Sequence, residues 1–207
     1  MEIVFNIETD ALPRDEIRHL MPEFTAPSNY KDADKIQAYK AKKEAEWCLD
    51  AQMSALSGRV LAIGVQEPVQ SVLTFVNINE GDLLRSFWEY YRRNAHCKFV
   101  GFNCNTFAIP FLVRRSWVNR VQVPNIFHGR YLSGNFVDLA QVWSCGTYEK
   151  VSLEHLARFF GIKLKETGVK FNTMWDVNPL KALEKLKSDV MAIRYIGEAM
   201  NVIEEEF

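Results

Sequence analysis

The chain has almost no net charge: 25 Lys and Arg face 26 Asp and Glu, for -1 overall in 207 residues. A neutral chain offers no global field to draw in a polyanion, so any contact with nucleic acid has to come from a local cluster of cations. No basic stretch followed by an apolar core opens the sequence, and no apolar run reaches membrane-spanning length. A cytoplasmic protein that touches no membrane is expected. Cysteine is scarce, and Cys48, Cys97, Cys104 and Cys145 form no C-x-x-C pair. A chain of this size needs no disulfide staples, so reduced thiols are expected. His96-Cys97 with Cys104 lacks a fourth ligand at zinc spacing. P-loop, G-x-S-x-G and H-E-x-x-H patterns are absent, which leaves phosphoryl transfer from NTP, serine hydrolysis and zinc proteolysis without sequence support. There is no internal repeat and no low-complexity tract.

What is there suits one core: 48% of the residues are hydrophobic, and a chain this long buries one domain well. We expect a single domain over 1–207 with a helical insertion at about 28–57. Alternation predicts a strand over 2–8, in which the polar positions Asn6 and Glu8 share a face. Pro13, Pro22 and Pro27 then forbid a continuous helix. The Ala-, Lys- and Glu-rich stretch from Lys31 to Leu56 reads as a helix with Ile36, Tyr39, Trp47 and Met53 as its candidate buried positions. "SGRVLAIGV" and "VQSVLTFVN" read as a hairpin added to the first strand. "EGDLLRSFWEYYRRN" reads as an amphipathic helix leading into the strand "CKFVGFN". A helix at about 106–118, a loop through 137, helical stretches near 138–144 and 152–160 and a last helix near 179–204 follow. Three antiparallel strands and then strand–helix alternation define an α/β fold with a mixed sheet flanked by helices.

Three segments, "FNIETD", "VGFNCNTFAIPFLVRRSW" and "ALEKLKSDVMAIRYI", resemble in that order the three motifs of the DEDD 3′-to-5′ exonucleases. The match is to the stand-alone branch related to the exonuclease domain of family B DNA polymerases. "GRVLAIGV", "VDLAQVW" and "VSLEHLARFFGI" also fit that branch, so the resemblance spans nearly the whole chain and implies an RNase H-like fold. The family's chemistry uses four carboxylates to hold two divalent cations, Mg²⁺ or Mn²⁺, one activating the attacking water and one stabilising the leaving oxygen. Carried over by position, Glu8, Asn103 and Asp189 match the pattern. Asn6 stands where the family has Asp, Ala108 where it has the second-motif Asp, and Lys185 where it has the water-orienting Tyr.

The departures fall on the catalytic positions Asn6, Glu8, Ala108, Lys185 and Asp189. A full site sets four negative charges against two dications; here Glu8 and Asp189 supply two and Lys185 adds a positive one, leaving -1. Mg²⁺ needs oxygen ligands that Ala108 does not have. The resemblance therefore implies metal held weakly, if at all, by Glu8 and Asp189. Four residues before Asp189 on a helix, Lys185 is placed to put an ammonium where a metal would sit. Arg114 and Arg115, with Arg120 and Arg130, are candidate phosphate contacts beside Asn103, and Trp117, Tyr131 and Phe136 candidate stacking residues. Phe107, Phe111 and Leu112 have the spacing of a buried helical face. The expectation is a nucleic-acid-binding pseudo-exonuclease that takes a single-stranded DNA or RNA 3′ end. The alternatives are an active metal-dependent exonuclease whose missing acids come from Asp10 or Asp138, and an interaction protein with a vestigial groove.

Overall fold

The first strand shows how this sequence builds its sheet. In β1 (Glu2–Ala11) the run Ile3, Val4, Phe5 is buried on both faces, as a strand covered by helices on two sides requires. Val4 belongs to the apolar cluster that includes Leu186, Val190 and Ile193. Phe5 turns the other way and meets Phe99 edge-on with ring centroids 6.2 Å apart. Asn6 and Glu8 share the parity of Val4.

The computed structural model describes residues 1–128, 131–132, 135–165 and 168–204, without the side chains of 127, 128, 131 and 132. Arg130 and the side chain of Tyr131, both among the expected nucleic-acid contacts, lie outside what is described. The elements in order are β1, α1 (Arg14–Ile17), α2 (Ala33–Asp50), β2 (Gly58–Gln66), β3 (Leu73–Val76), α3 (Glu80–Arg93) and β4 (Lys98–Gly101). A π-helical turn (Cys104–Ala108) leads into α4 (Ile109–Val118), and β5 (Phe127–His128), β6 (Tyr131–Leu132), β7 (Phe136–Asp138) and α5 (Leu139–Ser144) follow. The chain closes with α6 (Leu153–Phe159), α7 (Phe171–Val177) and α8 (Pro179–Ala199).

Five strands form one mixed sheet in the order β3-β2-β1-β4-β7. β2 and β3 are antiparallel, with Ala62 opposite Val76 and Val65 opposite Leu73. β4 runs parallel to β1, with Ile3 beside Phe99, and β7 parallel to β4, with Gly101 beside Asp138. The fold is the expected α/β mixed sheet flanked by helices. No helix among the described residues is long and apolar enough to cross a membrane.

Two compact units make up the chain, one of Met1–Glu8 with Val60–Phe207 and one of Thr9–Arg59. In the larger, α3 starts at Asn79, whose side chain accepts from the amide of Asp82, and carries Glu80 and Asp82 in its first turn and Arg92 and Arg93 in its last. That arrangement complements the helix dipole at both ends. α3 is tied to α4 where Trp88 Nε1–H donates to Ser116 Oγ at 2.8 Å. α8 starts at Asn178, whose side chain accepts from the amide of Lys181, with Pro179 in its first turn. It comes close to β2 because position 64 is glycine: a Cβ there would lie 2.8 Å from Val190 Cγ2.

In the smaller unit, α2 is capped by Asp32, which accepts from the amides of Asp34 and Lys35. None of its side chains is fully buried, and Met53, expected inside, is 57% exposed. Alternating Lys and Glu leave this helix no wide apolar stripe. β1 also runs on to Ala11 rather than ending at Glu8. The expected loop through 137 instead holds the β5–β6 hairpin and β7, the edge strand of the main sheet, and α7 occupies a stretch given no element. Strands of two or three residues and a seven-residue helix are too short to establish a period.

Candidate functional site

On the face of the sheet covered by α8, β1 carries Asn6 and Glu8, past the stretch Glu2–Val4 that pairs with β4. Ligands of parallel α/β sheets bind beyond the carboxyl ends of the strands, and these polar residues stand just past the parallel-paired segment of β1. One turn apart on α8, Lys185 and Asp189 face inward: Lys185 Nζ donates to Asp189 Oδ2 at 2.7 Å, with the side chains 15% and 7% exposed. Glu8 feels both charges. The structure thus brings together Glu8, Lys185 and Asp189, the residues that the motif comparison singles out.

The electrostatics follow from burial. Desolvation pushes the Glu8 carboxyl from 4.5 up to about 8; Lys185 opposes that rise and Asp189 adds to it. At neutral pH Glu8 therefore holds its proton. Burial alone would lower the pKa of Lys185, but Asp189 and Glu8 outweigh it and the balance is upward. Asp189 is also raised, by burial first, with Lys185 working against the shift. Glu154 adds a further negative influence on both partners.

Asn103, after β4, adopts a left-handed backbone, with φ 54° and ψ 27°, a conformation that Asn tolerates better than most residues. The Asp138 carboxylate holds this turn: it accepts from the amide of Asn103 at 2.8 Å, of Asn105 at 2.9 Å and of Ala140 at 3.0 Å. Phe107 N–H donates back to Asn103 O at 3.0 Å, and the Thr106 hydroxyl bonds the Asn103 side chain. The single π-helical turn that results delivers Ala108 to the start of α4, buried at 4% exposure. Such turns recur at functional sites. A groove of about 750 Å³ opens beside Asn103, lined among others by Phe102, Thr106, Tyr148 and Lys150.

Several expectations need correction. Arg115 is no phosphate contact: it is 4% exposed, and its guanidinium forks onto Glu80, with Nη2 to Oε2 at 2.6 Å. The Glu80 carboxylate also accepts from the amide of Val60 and from Asn119. Phe136 is core, stacked 5.4 Å from Tyr91, and is unavailable to a base. Arg114, Trp117 and Arg120 are exposed. Asp138 is occupied in holding the Asn103 turn, and Asp10 lies 3.4 Å from Arg59, so neither is a free replacement for a missing acid. The capping role of Asp138 was readable, since an Asp directly before an apolar helical start is an N-cap signal. Nothing in the sequence marks Glu154.

The residues present do not fit a pair of divalent cations. Position 108 offers a methyl group, and Asp189 is engaged by an ammonium. Among the described residues no group of three or more His, Cys, Asp and Glu could hold a metal ion.

A mixed sheet with a polar cluster where β1 meets the last helix defines an α/β protein of the RNase H-like exonuclease fold. The chain belongs to the family of predicted 3′-5′ exonucleases related to the exonuclease domain of PolB, whose model matches residues 59–196. Among solved structures it is similar to the family B DNA polymerase from the hyperthermophilic archaeon Pyrobaculum calidifontis, at 16% identity and a TM-score of 0.64. That likeness covers 97% of this chain and 24% of the polymerase chain, so the chain spans about a quarter of that protein's length. No curated protein sequence matches it.

Proposed function

We propose that this chain is a nucleic-acid-binding pseudo-exonuclease: it holds a single-stranded DNA or RNA 3′ end and has lost hydrolysis or retains very little. The observation that carries this reading is the buried ion pair of Lys185 and Asp189 at 2.7 Å. An ammonium fixed on one of the two remaining family acids fills the electrostatic role of a cation and leaves no ligand set to recruit one. Fewer ionised carboxylates around Lys185 and Asp189 also mean less repulsion of a phosphate backbone there, so binding does not require metal. All four cysteines are free, in keeping with a reducing, cytoplasmic setting.

The test is a comparison of this chain with the triple variant Asn6→Asp, Ala108→Asp, Lys185→Tyr. Both are incubated with 3′-labelled single strands in Mg²⁺ or Mn²⁺, and binding is measured in parallel in EDTA. The expected result is retention of the strand by the unaltered chain in EDTA, weakening as salt rises, with cleavage only by the triple variant. Equal cleavage by both chains, or no retention at low salt, overturns the proposal.

A further inference from the structure

A second feature lies away from the degenerate site. From Tyr90 to Val137 the sequence contains no Asp or Glu, against seven Lys and Arg, in a chain with 26 acids. The charge neutrality of the whole chain therefore hides a strongly basic tract and an acidic remainder. Within the tract Arg115 is neutralised by Glu80, Lys98 lies 3.8 Å from Glu2, and Arg130 is outside the described residues. Arg92, Arg93, Arg114 and Arg120 remain, all exposed.

Arg92 and Arg93, with the exposed Glu89 one turn before Arg93, lie on α3, and Arg114 and Arg120 lie on α4 and just after it. Arg92 and Arg93 close α3, and Arg92 Nη2 donates to the backbone oxygen of Gln122 at 2.7 Å, which pins the end of α3 to the segment just after Arg120. Arg114 and Arg120 have no ion-pair or hydrogen-bond partner through their side chains among the described residues. With them stands Trp117, 62% exposed and the one exposed tryptophan of the five in the chain. Helical spacing sets Arg114 and Trp117 on one face of α4, opposite the buried Arg115 and Ser116. Trp117 is nine residues along from Ala108, about 13 Å at the rise of an α-helix.

We propose that the exposed face of α4, Arg114 and Trp117 with Arg120 just beyond it, is a docking site for single-stranded nucleic acid, distinct from the groove beside Asn103. The two guanidinium groups of Arg114 and Arg120, with no acid between them in sequence, complement a phosphate backbone. A bare indole offers a stacking platform to any base. The apolar part, Trp117 and Val118, is too narrow for the core of a stable protein interface. An acidic protein segment is the competing occupant.

Binding of fluorescein-labelled single-stranded DNA and RNA, each 20 nucleotides, is measured by anisotropy in EDTA between 50 and 200 mM salt. The proteins are the unaltered full chain, Trp117→Ala, Trp117→Phe, and Arg114→Gln with Arg120→Gln. A poly-glutamate competitor and a labelled duplex are run alongside, and unfolding midpoints are recorded for each variant. Trp117→Ala weakens binding roughly tenfold, in the range of one lost base stack, while Trp117→Phe keeps most of the affinity. The double Arg variant lowers the slope of log K against log salt by about 1.4, two phosphate contacts on a single strand. The midpoints stay unchanged, since all three side chains are exposed. Unaltered affinity in the variants, while the parent still binds, overturns this surface and leaves the groove reading intact. No binding by the parent overturns both. Poly-glutamate or duplex held as tightly as single strand, with the same dependence on Trp117, overturns the assignment to single strands.

Discussion

Replacing Glu8 by Gln isolates the electrostatics of the site, because Gln keeps the shape of the protonated acid and cannot ionise. In the folded chain the Glu8 carboxyl titrates at about 8 against 4.5 for the ordinary group. The sign follows from linkage: a raised acid means that the unfolded chain releases its proton first, so ionisation favours unfolding. The parent therefore loses stability as pH rises from about 4.5 to about 8, and the loss levels off above that. A gap of about 3.5 pH units at about 1.4 kcal/mol each gives a ceiling of about 5 kcal/mol. Glu8 is only partly buried by surface area, so solvent screening reduces this to roughly half. The assay is urea unfolding of both proteins at each pH from 5 to 9, taken as a difference so that all other titrations cancel. The Gln variant should match the parent near pH 5 and exceed it by about 2–3 kcal/mol at pH 8. A difference that does not change with pH, or a parent that gains stability across that window, refutes the reasoning.

The ion pair at the same site predicts a large single-variant cost: Lys185→Met leaves Asp189 buried without its partner and should lose about 3–5 kcal/mol in urea unfolding. A comparable loss is expected of Glu80→Ala, which removes the carboxylate paired with the buried Arg115, whereas Arg114→Ala should stay within about 0.5 kcal/mol of the parent. Asp138→Asn removes a charged acceptor from the amides of Asn103 and Asn105. It should cost about 1.5–3 kcal/mol and speed hydrogen exchange at those two amides specifically. Added Mg²⁺ should leave the parent's unfolding midpoint unmoved, while the variant carrying Asn6→Asp, Ala108→Asp and Lys185→Tyr becomes metal-stabilised in a calorimetric scan.

The central elements were legible where period and capping agreed. β1, β2, β4, α3 and α8 carry apolar repeats over enough residues to distinguish strand from helix, and the paired parity of Asn6 and Glu8 needed nothing beyond alternation. β7 was not legible, because three residues carry no period and its role depends on pairing with β4 across the intervening α4. Arg115 shows the limit for charged residues. Nothing local separates it from Arg114; only the helix face directed at Glu80, 35 positions away in sequence, makes one buried and the other exposed. The same tertiary dependence explains Phe136, whose aromatic ring fits a stacking role as well as a core one until Tyr91 is placed against it.

The three departures from the family pattern form one electrostatic solution rather than three separate losses. Four buried carboxylates are tolerable only with cations among them, since like charges in a desolvated site repel and each is costly to bury. Losing metal while keeping the acids would leave the end of β1 and the middle of α8 pushing apart. Asn6 and Ala108 remove two of those charges, and Lys185 supplies a covalently attached positive one at 2.7 Å from Asp189. Of the four ligand positions only Glu8 is then left without a countercharge of its own, and burial keeps it protonated up to about 8. On the proposed reading, the Lys185–Asp189 pair makes folding independent of divalent metal, which the Mg²⁺ scan checks.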